Sequence, residues 1–438
     1  MERNDILAKL GIAQLSEMQQ ATADVFAQTN KNIVVLSPTG TGKTLAYLLP
    51  LVAEIDTNSD QVQAVVIVPG RELAMQSANV LASMKCGVRG MACYGGRMTM
   101  EEHRKMNEIL PQIVFATPGR LNDHLDKENI AATTIRTVVI DEFDKCLDMG
   151  FADEMYSIMR KLKFARRHVL LSATNSNEIP RFVDLKNAEF INYLEDARDV
   201  SNRVSINVLR SPVKDKLEVL LKYICMVGDT SSIVFVNHRE SVERIGQFLA
   251  ENGVTASIFH GGFDQKGRED ALYKFSNGSA NVLVCTDLGS RGLDIDNISN
   301  VVHYHLPETQ DAYIHRTGRT ARWNSTGNTV FILGPDELLP QYVKGAEDMT
   351  LPESVPAPAR PKMATIYIGK GKKDKISRGD ILGFLCKKGD LANGDIGKID
   401  VKERYAYVAV KRESVNALLA KIKNEKIKGL RTVFEKIK

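Results

Sequence analysis

The 438-residue chain reads as an α/β protein: two tandem parallel-sheet domains followed by a small, basic α+β module. Three observations predict this. Short β-branched runs alternate with amphipathic stretches, a pattern that builds a parallel sheet with helices on both faces. The pattern then occurs a second time. Beyond it, four prolines (Pro352, Pro356, Pro358, Pro361) fall within ten residues, and the sequence after them is strongly basic. That proline density is linker composition.

The first set of strands is expected at Ile33–Leu36, Ala64–Val68, Ile113–Ala116, Thr137–Ile140 and His168–Leu171. The second is expected at Ser232–Val236, Thr255–Phe259, Asn281–Val284, Val301–Tyr304 and Thr329–Leu333. Between the sets, the polar stretch Asp196–Ser211 reads as a linker. The domains are placed at 1–205, 206–350 and 362–438, with the proline-rich linker at 351–361. In the last of these, Ala364–Ile368 and Tyr405–Val410 are apolar stretches with a strand-like alternation of side chains and read as strands. In open parallel sheets, ligands bind outside the C-terminal strand ends.

Composition excludes several classes. The chain is 43% hydrophobic and 26% charged, too apolar for a disordered protein. No apolar run is long enough to span a membrane, and the N-terminus lacks the apolar core of a secretory signal. The six cysteines are scattered without a CxxC pair, which argues against a disulfide framework or a zinc site. A reduced, cytoplasmic, monomeric protein is the expectation. Net charge is only +4, but residues 361–438 carry +11 and residues 1–360 carry −7. Such asymmetry points to a polyanionic partner for the C-terminal module.

Chemistry begins at the end of the first strand. Ile33–Leu36 runs into SPTGTGKT, Ser37 to Thr44, and then into an apolar helix start. This is a phosphate-binding loop, although Ser37 stands where the usual first glycine would be. Its backbone N–H groups, with Thr39, Gly40, Thr41 and Gly42 in the turn, cradle phosphates at a helix N-terminus. Lys43 supplies a positive charge to the β/γ-phosphates, and Thr44 a hydroxyl for Mg²⁺. The strand Thr137–Ile140 ends in Asp141-Glu-Phe-Asp144. A strand ending in acids puts carboxylates at the same sheet edge. Asp141 is suited to Mg²⁺, and Glu142 to orienting or deprotonating the attacking water. ATP and Mg²⁺ are therefore the expected cofactors.

With these motifs in place, residues 5–345 resemble the DEAD-box RNA helicases. The ordered motifs are Gln19 in SEMQ, SPTGTGKT, Pro69–Ala74 (PGRELA), Gly95-Gly96, Thr117–Arg120 (TPGR), DEFD and Ser172–Thr174 (SAT). The second unit adds IVFVNHR (Ile233–Arg239), His260-Gly-Gly with Gln265 and Arg268, and Thr286-Asp287. Ser290–Asp294 (SRGLD) and His315–Arg322 (HRTGRTAR) complete the set. The resemblance implies two RecA-like domains and an RNA-stimulated ATPase. It implies that Gln19 reads adenine, that Asp294 contacts ribose or bridges the domains, and that Arg319 and Arg322 are arginine fingers. Asp144, Ser172, Thr174 and His315 would couple nucleotide state to the domains. Pro69, Gly70, Arg71, Gly96, Thr117, Pro118, Gly119, Arg120, Arg268 and Thr286 would line an RNA path. Those positions offer backbone donors, guanidinium groups and hydroxyls, an inventory for phosphate and 2′-OH contacts without base reading.

The chain departs from the family pattern at a few positions. Phe143 replaces Ala in DEAD, Gly70 replaces Thr, Gly262 replaces Asp, His305 stands where Asp is common, and Ala321 replaces Gly. The aromatic residue usual upstream of Gln19 is missing, and Leu10 or Ile12 takes its place. Residues 363–438 resemble the RNA-binding domain of DbpA-type DEAD-box proteins, an RRM-like sheet with two helices. Tyr367, Tyr405 and Tyr407 occupy base-stacking positions by that resemblance, and Lys372 and Lys373 sit in a basic run suited to phosphates. The implied function is local unwinding of short RNA duplexes, in ribosomal RNA during large-subunit assembly. The competing readings are an ATP-gated RNA clamp or general RNA chaperone acting on mRNA, and a translocating DNA helicase.

Overall fold

The computed structural model describes residues 3–38, 40–96, 99–174, 185, 187–194, 204–287, 298–320 and 326–437. These fall into two compact units, one ending before Val204 and one beginning there.

The first unit is built on seven parallel strands. They are β1 (Ile33–Leu36), β2 (Ala64–Ile67), β3 (Gly90–Cys93), β4 (Ile113–Ala116), β5 (Thr137–Ile140), β6 (Arg167–Ser172) and β7 (Glu189–Asn192). Their order across the sheet is β3-β4-β2-β5-β6-β1-β7, and every pairing is parallel. Both faces are covered, which is why the central strands are apolar throughout rather than alternating. Ile33, Val35, Val66, Phe115 and Leu171 pack on one face, against helices Glu17–Gln28, Lys43–Glu54 and Arg71–Met84. Val34, Leu36, Val65, Val114 and Ile140 pack on the other, against helices Pro118–Asp126 and Ala152–Lys161. Phe143 lies in this second cluster at 2% exposure, so the ring of the altered motif is absorbed by the core.

The second unit repeats the architecture. Strands β8 (Val204–Arg210), β9 (Ser232–Val236), β10 (Ala256–Phe259), β11 (Val282–Thr286), β12 (Asn300–His303), β13 (Gly327–Leu333) and β14 (Glu347–Asp348) are ordered β10-β11-β9-β12-β13-β8-β14, again all parallel. Strand β8 corrects the sequence reading. It pairs with β13 along its full seven residues, so Val204–Arg210 is sheet rather than linker, and a boundary at 205/206 cuts through it. Val204, Val208 and Leu209 are buried, while Ser205 and Arg210 are exposed. The polar residues that suggested a linker are interleaved with buried apolar ones in a strand.

The same unit carries the C-terminal module, an antiparallel sheet ordered β16-β17-β15-β20. Its strands are β15 (Met363–Ile368), β16 (Ile396–Val401), β17 (Ala406–Lys411) and β20 (Phe434–Lys436), with a small ribbon of β18 (Lys426–Ile427) and β19 (Leu430–Arg431). Helices Arg378–Lys387 and Val415–Ile422 cover one face through Ile381, Phe384, Leu385, Leu418 and Ile422.

A fragment beginning at Val204 is expected to unfold cooperatively. One beginning at Val213 lacks β8 and exposes the edge of β13, and should melt at lower temperature or aggregate in a circular-dichroism melt. Equal melting of the two fragments would contradict the assignment of β8 as an integral strand.

Candidate nucleotide and RNA sites

Because all strands of the first sheet run the same way, the loops after them emerge at one edge. The phosphate loop follows β1, the acidic loop follows β5 and the SAT segment ends β6. The PGRELA, Gly95-Gly96 and TPGR loops follow β2, β3 and β4. Strand order therefore sorts the edge into two halves. The nucleotide loops sit over β1, β5 and β6, and the expected RNA loops over β2, β3 and β4.

In the phosphate loop, Gly42 adopts φ +82 as the N-cap of helix Lys43–Glu54. A Cβ there would also lie 2.3 Å from Gln19 Nε2. Glycine is thus required for conformation and for space. Gln19 is fixed from two sides. Its Oε1 accepts from the Ser16 N–H at 3.0 Å in a capping box, and its Nε2 donates to the Gly42 carbonyl at 3.2 Å. The adenine-reading candidate and the phosphate loop are one hydrogen-bonded assembly. Lys43 Nζ donates to the carbonyls of Ser37 (2.7 Å) and Pro38 (2.8 Å). Burial lowers its pKa to about 8, against the opposing pull of Asp141, Glu142 and Asp144. Thr41 Oγ1 donates to the Pro38 carbonyl at 2.9 Å and accepts from Ser37 Oγ, tightening the same turn. Gly40 has φ +79 and Thr44 lies in the helix's first turn.

The acidic loop is held as closely. Asp141 is 2% exposed, and its N–H extends the β-ladder to the Ile67 carbonyl. Its pKa is pushed up to about 7, first by burial and then by Glu142. A buried carboxylate with this cost of ionisation suits a cation ligand. Glu142 takes φ +53, a left-handed conformation sparsely used by non-glycine residues. Its Oε1 lies 3.0 Å from the Nζ of Lys145, which is fully buried. Asp144 anchors the SAT segment: Thr174 Oγ1 donates to Asp144 Oδ2 at 2.9 Å. Ser172 Oγ donates to the Thr174 carbonyl at 2.7 Å, and the Ser172 carbonyl accepts from the Ser37 N–H at 3.0 Å. A continuous polar path thus joins DEFD, SAT and the phosphate loop.

On the other half, Gly70 caps helix Arg71–Met84. Arg71 lies over Gly96, where a Cβ would meet Arg71 Nη1 at 2.5 Å and where φ is +92. Thr117 N-caps helix Pro118–Asp126, with Pro118 in its first turn, followed by Gly119. Arg120 Nη1 donates to Thr99 Oγ1 at 2.5 Å, and its Nε lies 3.4 Å from Glu102 Oε2. Glu102, 1% exposed, also accepts from the Tyr94 N–H and contacts His124 Nε2 at 3.2 Å. This buried acid organises the loops after β3 and β4, and the sequence reading missed it, as it missed Lys145. A charged side chain in a helix ordinarily marks a solvated face, so neither carried a local signal. Pro69 precedes Gly70 in the loop after β2.

In the second unit, Arg316 is the anchor. It is 1% exposed and bidentate to Asp287 at 2.6 Å through Nε and Nη2, and it also donates to Asn237 Oδ1 and the His305 carbonyl. This fixes helix Gln310–Thr317, which carries His315, and the turn that places Arg319, itself 5% exposed. His305 Nδ1 accepts from the Asn237 N–H at 3.1 Å. Burial, reinforced by Lys216, lowers its pKa to about 4, so it stays neutral and keeps an acceptor where the family often has Asp. Arg268 lies on helix Gln265–Ser276 with its guanidinium 5.3 Å from the Phe259 ring, and Thr286 ends β11. Thr39, Asp294 and Arg322 lie outside the described residues.

The C-terminal module departs from the sequence reading. Lys372 and Lys373 are exposed on the loop after β15. None of the tyrosines is fully exposed, with Tyr367 and Tyr405 half-buried. Tyr407 is fully buried, its hydroxyl donating to Asp270, and Tyr405 donates to Glu269 Oε2 at 2.8 Å. Tyr367 packs 5.6 Å from Tyr405, with Lys266 Nζ 5.4 Å from its ring centroid. The sheet face expected to stack bases lies against helix Gln265–Ser276 instead.

Comparison with known proteins matches this layout. Residues 16–182 match the DEAD/DEAH box helicase family, residues 215–324 the helicase conserved C-terminal domain, and residues 365–436 the DbpA RNA binding domain. The chain is 33% identical over 435 residues to the ATP-dependent RNA helicase DbpA of Escherichia coli, covering 97% of this chain and 94% of that one. It is 32% identical over 333 residues to the DEAD-box ATP-dependent RNA helicase CshA of Bacillus subtilis, covering 75% and 67%. Among solved structures it resembles Dbp5 of S. cerevisiae bound to RNA and ADP BeF3, with a TM-score of 0.67, 26% identity and coverage of 76% and 87%.

Thr174→Val keeps the side chain's shape but removes the hydroxyl donor from Oδ2 of the buried Asp144. It is expected to destabilise the protein by about 1–3 kcal/mol, the cost of an unsatisfied buried group. Denaturant unfolding at neutral pH measures this, and an unchanged midpoint would contradict the structural role of the contact.

Proposed function

The chain belongs to the DEAD-box ATP-dependent RNA helicases, and from that membership we propose that it opens short duplexes in large-subunit ribosomal RNA. It is an RNA-dependent ATPase with an RNA-binding C-terminal domain. The observation that carries the finer reading is that module. It matches the DbpA RNA binding domain, holds +11 of charge and keeps Lys372 and Lys373 exposed. The core's expected contacts are to backbone and carry no sequence preference, so target choice falls to residues 362–438.

The residues divide the reaction between them. Gln19 holds the adenine edge through its amide. Lys43 and the helix N-terminus bind the phosphates, exchanging loop carbonyls for phosphate oxygens. Thr44 and Asp141 would hold Mg²⁺, which would supply positive charge against that of the phosphates. The donor set fits, because a bound cation would restore the ionised form of the buried Asp141. Glu142 positions and deprotonates the attacking water, and Arg319 and Arg322 stabilise charge on the transferred phosphoryl group. Asp144, Thr174 and Ser172 transmit nucleotide state along the path described above. Arg71, Gly96, Thr117, Arg120, Arg268 and Thr286 bind RNA backbone.

Glu142→Gln should retain ATP and RNA binding but slow turnover by about 10²-fold or more, the usual weight of a general base. Lys43→Ala should weaken nucleotide binding itself. Steady-state ATPase with titrated RNA separates the two, and wild-type turnover in Glu142→Gln would remove that residue from the mechanism.

Replacing Lys372 and Lys373 with Ala should weaken binding to a large-subunit ribosomal RNA fragment and flatten its log–log salt dependence by about one to two units, roughly one per lost phosphate contact. ATPase at saturating generic RNA should persist. Equal affinity of the full chain for ribosomal and scrambled RNA at ~150 mM salt, a physiological ionic strength, would favour the general chaperone reading instead.

A further inference from the structure

In β15 and β17 successive side chains alternate between the two faces of the sheet. Ala364, Ile366, Ile368, Ala406, Val408 and Val410 point to the module's own core. Thr365, Tyr367, Tyr407 and Ala409, paired across the same strands, share the opposite face. In a free-standing module that face would meet water. Here Thr365 is 1% exposed, and Tyr407 and Ala409 are fully buried.

The cover is helix Gln265–Ser276 and the turn after it. Lys266, Glu269, Asp270, Tyr273 and Asn277 recur at three- and four-residue spacing and so share one side of that helix. Arg268, Ala271 and Phe275 are buried on the side toward the unit's own sheet. Across the seam, Tyr273 lies 4.9 Å from Tyr407, and its hydroxyl donates to the Lys398 carbonyl. Asn277 Nδ2 donates to Thr365 Oγ1 at 2.9 Å, Thr365 donates to Ser279 Oγ at 2.9 Å, and Arg412 Nη2 donates to the Ser279 carbonyl at 3.1 Å. Tyr405 and Tyr407 donate to Glu269 and Asp270. These polar groups are paired in one contiguous patch with tilted aromatic rings, as in a specific interface.

We propose that Tyr405, Tyr407 and Thr365 are positioning residues that clamp the C-terminal module onto helix Gln265–Ser276, so that RNA anchored on the module is presented at a set distance from Arg268. The module then acts as a fixed arm of the second unit rather than a tether on the proline-rich linker. The two arrangements differ in one physical respect. For a tether, effective concentration depends on linker length. For a clamped arm it does not, until the clamp is broken. The inference rests on reading the module as the RNA anchor, but its first test needs no RNA.

Spin labels are placed at the exposed positions Glu251 and Lys423 of the full-length chain by an encoded non-natural residue. Their separation is measured in the parent, after a Gly-Ser insertion at Ser354, and in Glu269→Lys/Asp270→Lys, alone and with the insertion. A single narrow distance that ignores the insertion is expected, with a broad distribution in the double variant. Tyr405→Phe/Tyr407→Phe removes only the two hydroxyls and should broaden it in the same direction if the charge reversals fail to fold. A broad distance in the parent, or one that lengthens with the insertion, overturns the clamp. The second test measures unwinding of duplexes joined through single-stranded spacers of graded length to a hairpin of large-subunit ribosomal RNA. The parent should show a spacer optimum that the insertion leaves in place. Glu269→Lys/Asp270→Lys should lose that optimum while ATPase at saturating generic RNA is unchanged. A narrow distance with no spacer optimum, in a chain that binds the hairpin, overturns the ruler. Failure of the full chain to bind the hairpin overturns the anchor reading while the clamp stands.

Discussion

The constraint on which the first unit depends is the common direction of its seven strands. A parallel sheet must be buried on both faces, leaving its C-terminal edge as the place where polar loops gather. Strand order then decides which loops are neighbours. Strand β5 lies between β2 and β6, so the carboxylates after it stand between the nucleotide loops and the expected RNA loops. Asp141 and Asp144 are both buried there, at 2% and 6% exposure. Such groups are tolerated only when each oxygen is matched. The matching is local: Thr174 serves Asp144, Ser172 fixes Thr174, and the end of β6 is laddered to Ser37. The hydrogen bonds that make burial tolerable also join the loop expected to sense phosphate to the loop expected to hydrolyse it.

The central strands and the motif loops were legible in the sequence because both signals are local. A four-residue β-branched run such as Ile33–Leu36 or Thr137–Ile140, buried at every position, has no helical competitor of that length. The misses share a cause. Strands β3 and β7 are edge strands, and β8 is only half buried, so their apolar signal is halved and diluted by polar outward residues. Glu102 and Arg316 bond partners far along the chain or on another element, which no window of sequence displays. Tyr405 and Tyr407, just before and just inside the start of β17, are a different case. Their position on the sheet follows the expected pattern, but what covers them is settled by the second sheet's helix and not by the module's own sequence.

The departures from the family pattern are absorbed in physically distinct ways. Phe143 is a volume change, taken up by the cluster around Val34 and Ile140, and it leaves the flanking carboxylates in place. His305 is a charge change that burial converts back into a neutral acceptor for the Asn237 N–H. Gly262 donates its N–H to His260 Nδ1 at 3.1 Å, and a Cβ would lie 2.9 Å from that atom. A larger residue there would have to displace the imidazole. Gly70 leaves helix Arg71–Met84 without a side-chain cap, a loss of only about a few tenths of a kcal/mol relative to Ser or Thr, because glycine is itself a tolerated N-cap.

Charge asymmetry takes on a second meaning once the module is seen against its neighbour. The acidic excess of residues 1–360 includes Asp229, Glu269 and Asp270, which meet Lys362, Tyr405 and Tyr407 of the basic segment. The Lys362–Asp229 pair is solvent-exposed and adds little to stability. The tyrosine–carboxylate contacts are more selective, because burial and the adjacent carboxylates both hold the phenols well above their usual range and keep them as donors. Tyrosine therefore suits this seam better than lysine would: it satisfies a carboxylate without burying a second charge. Off the seam, Lys372 and Lys373 lie exposed and outside the ion pairs of the described residues, although Lys370 beside them pairs with Asp374. The module thus divides its chemistry by face, with aromatic hydroxyls turned to acidic protein and ammonium groups left for a polyanion.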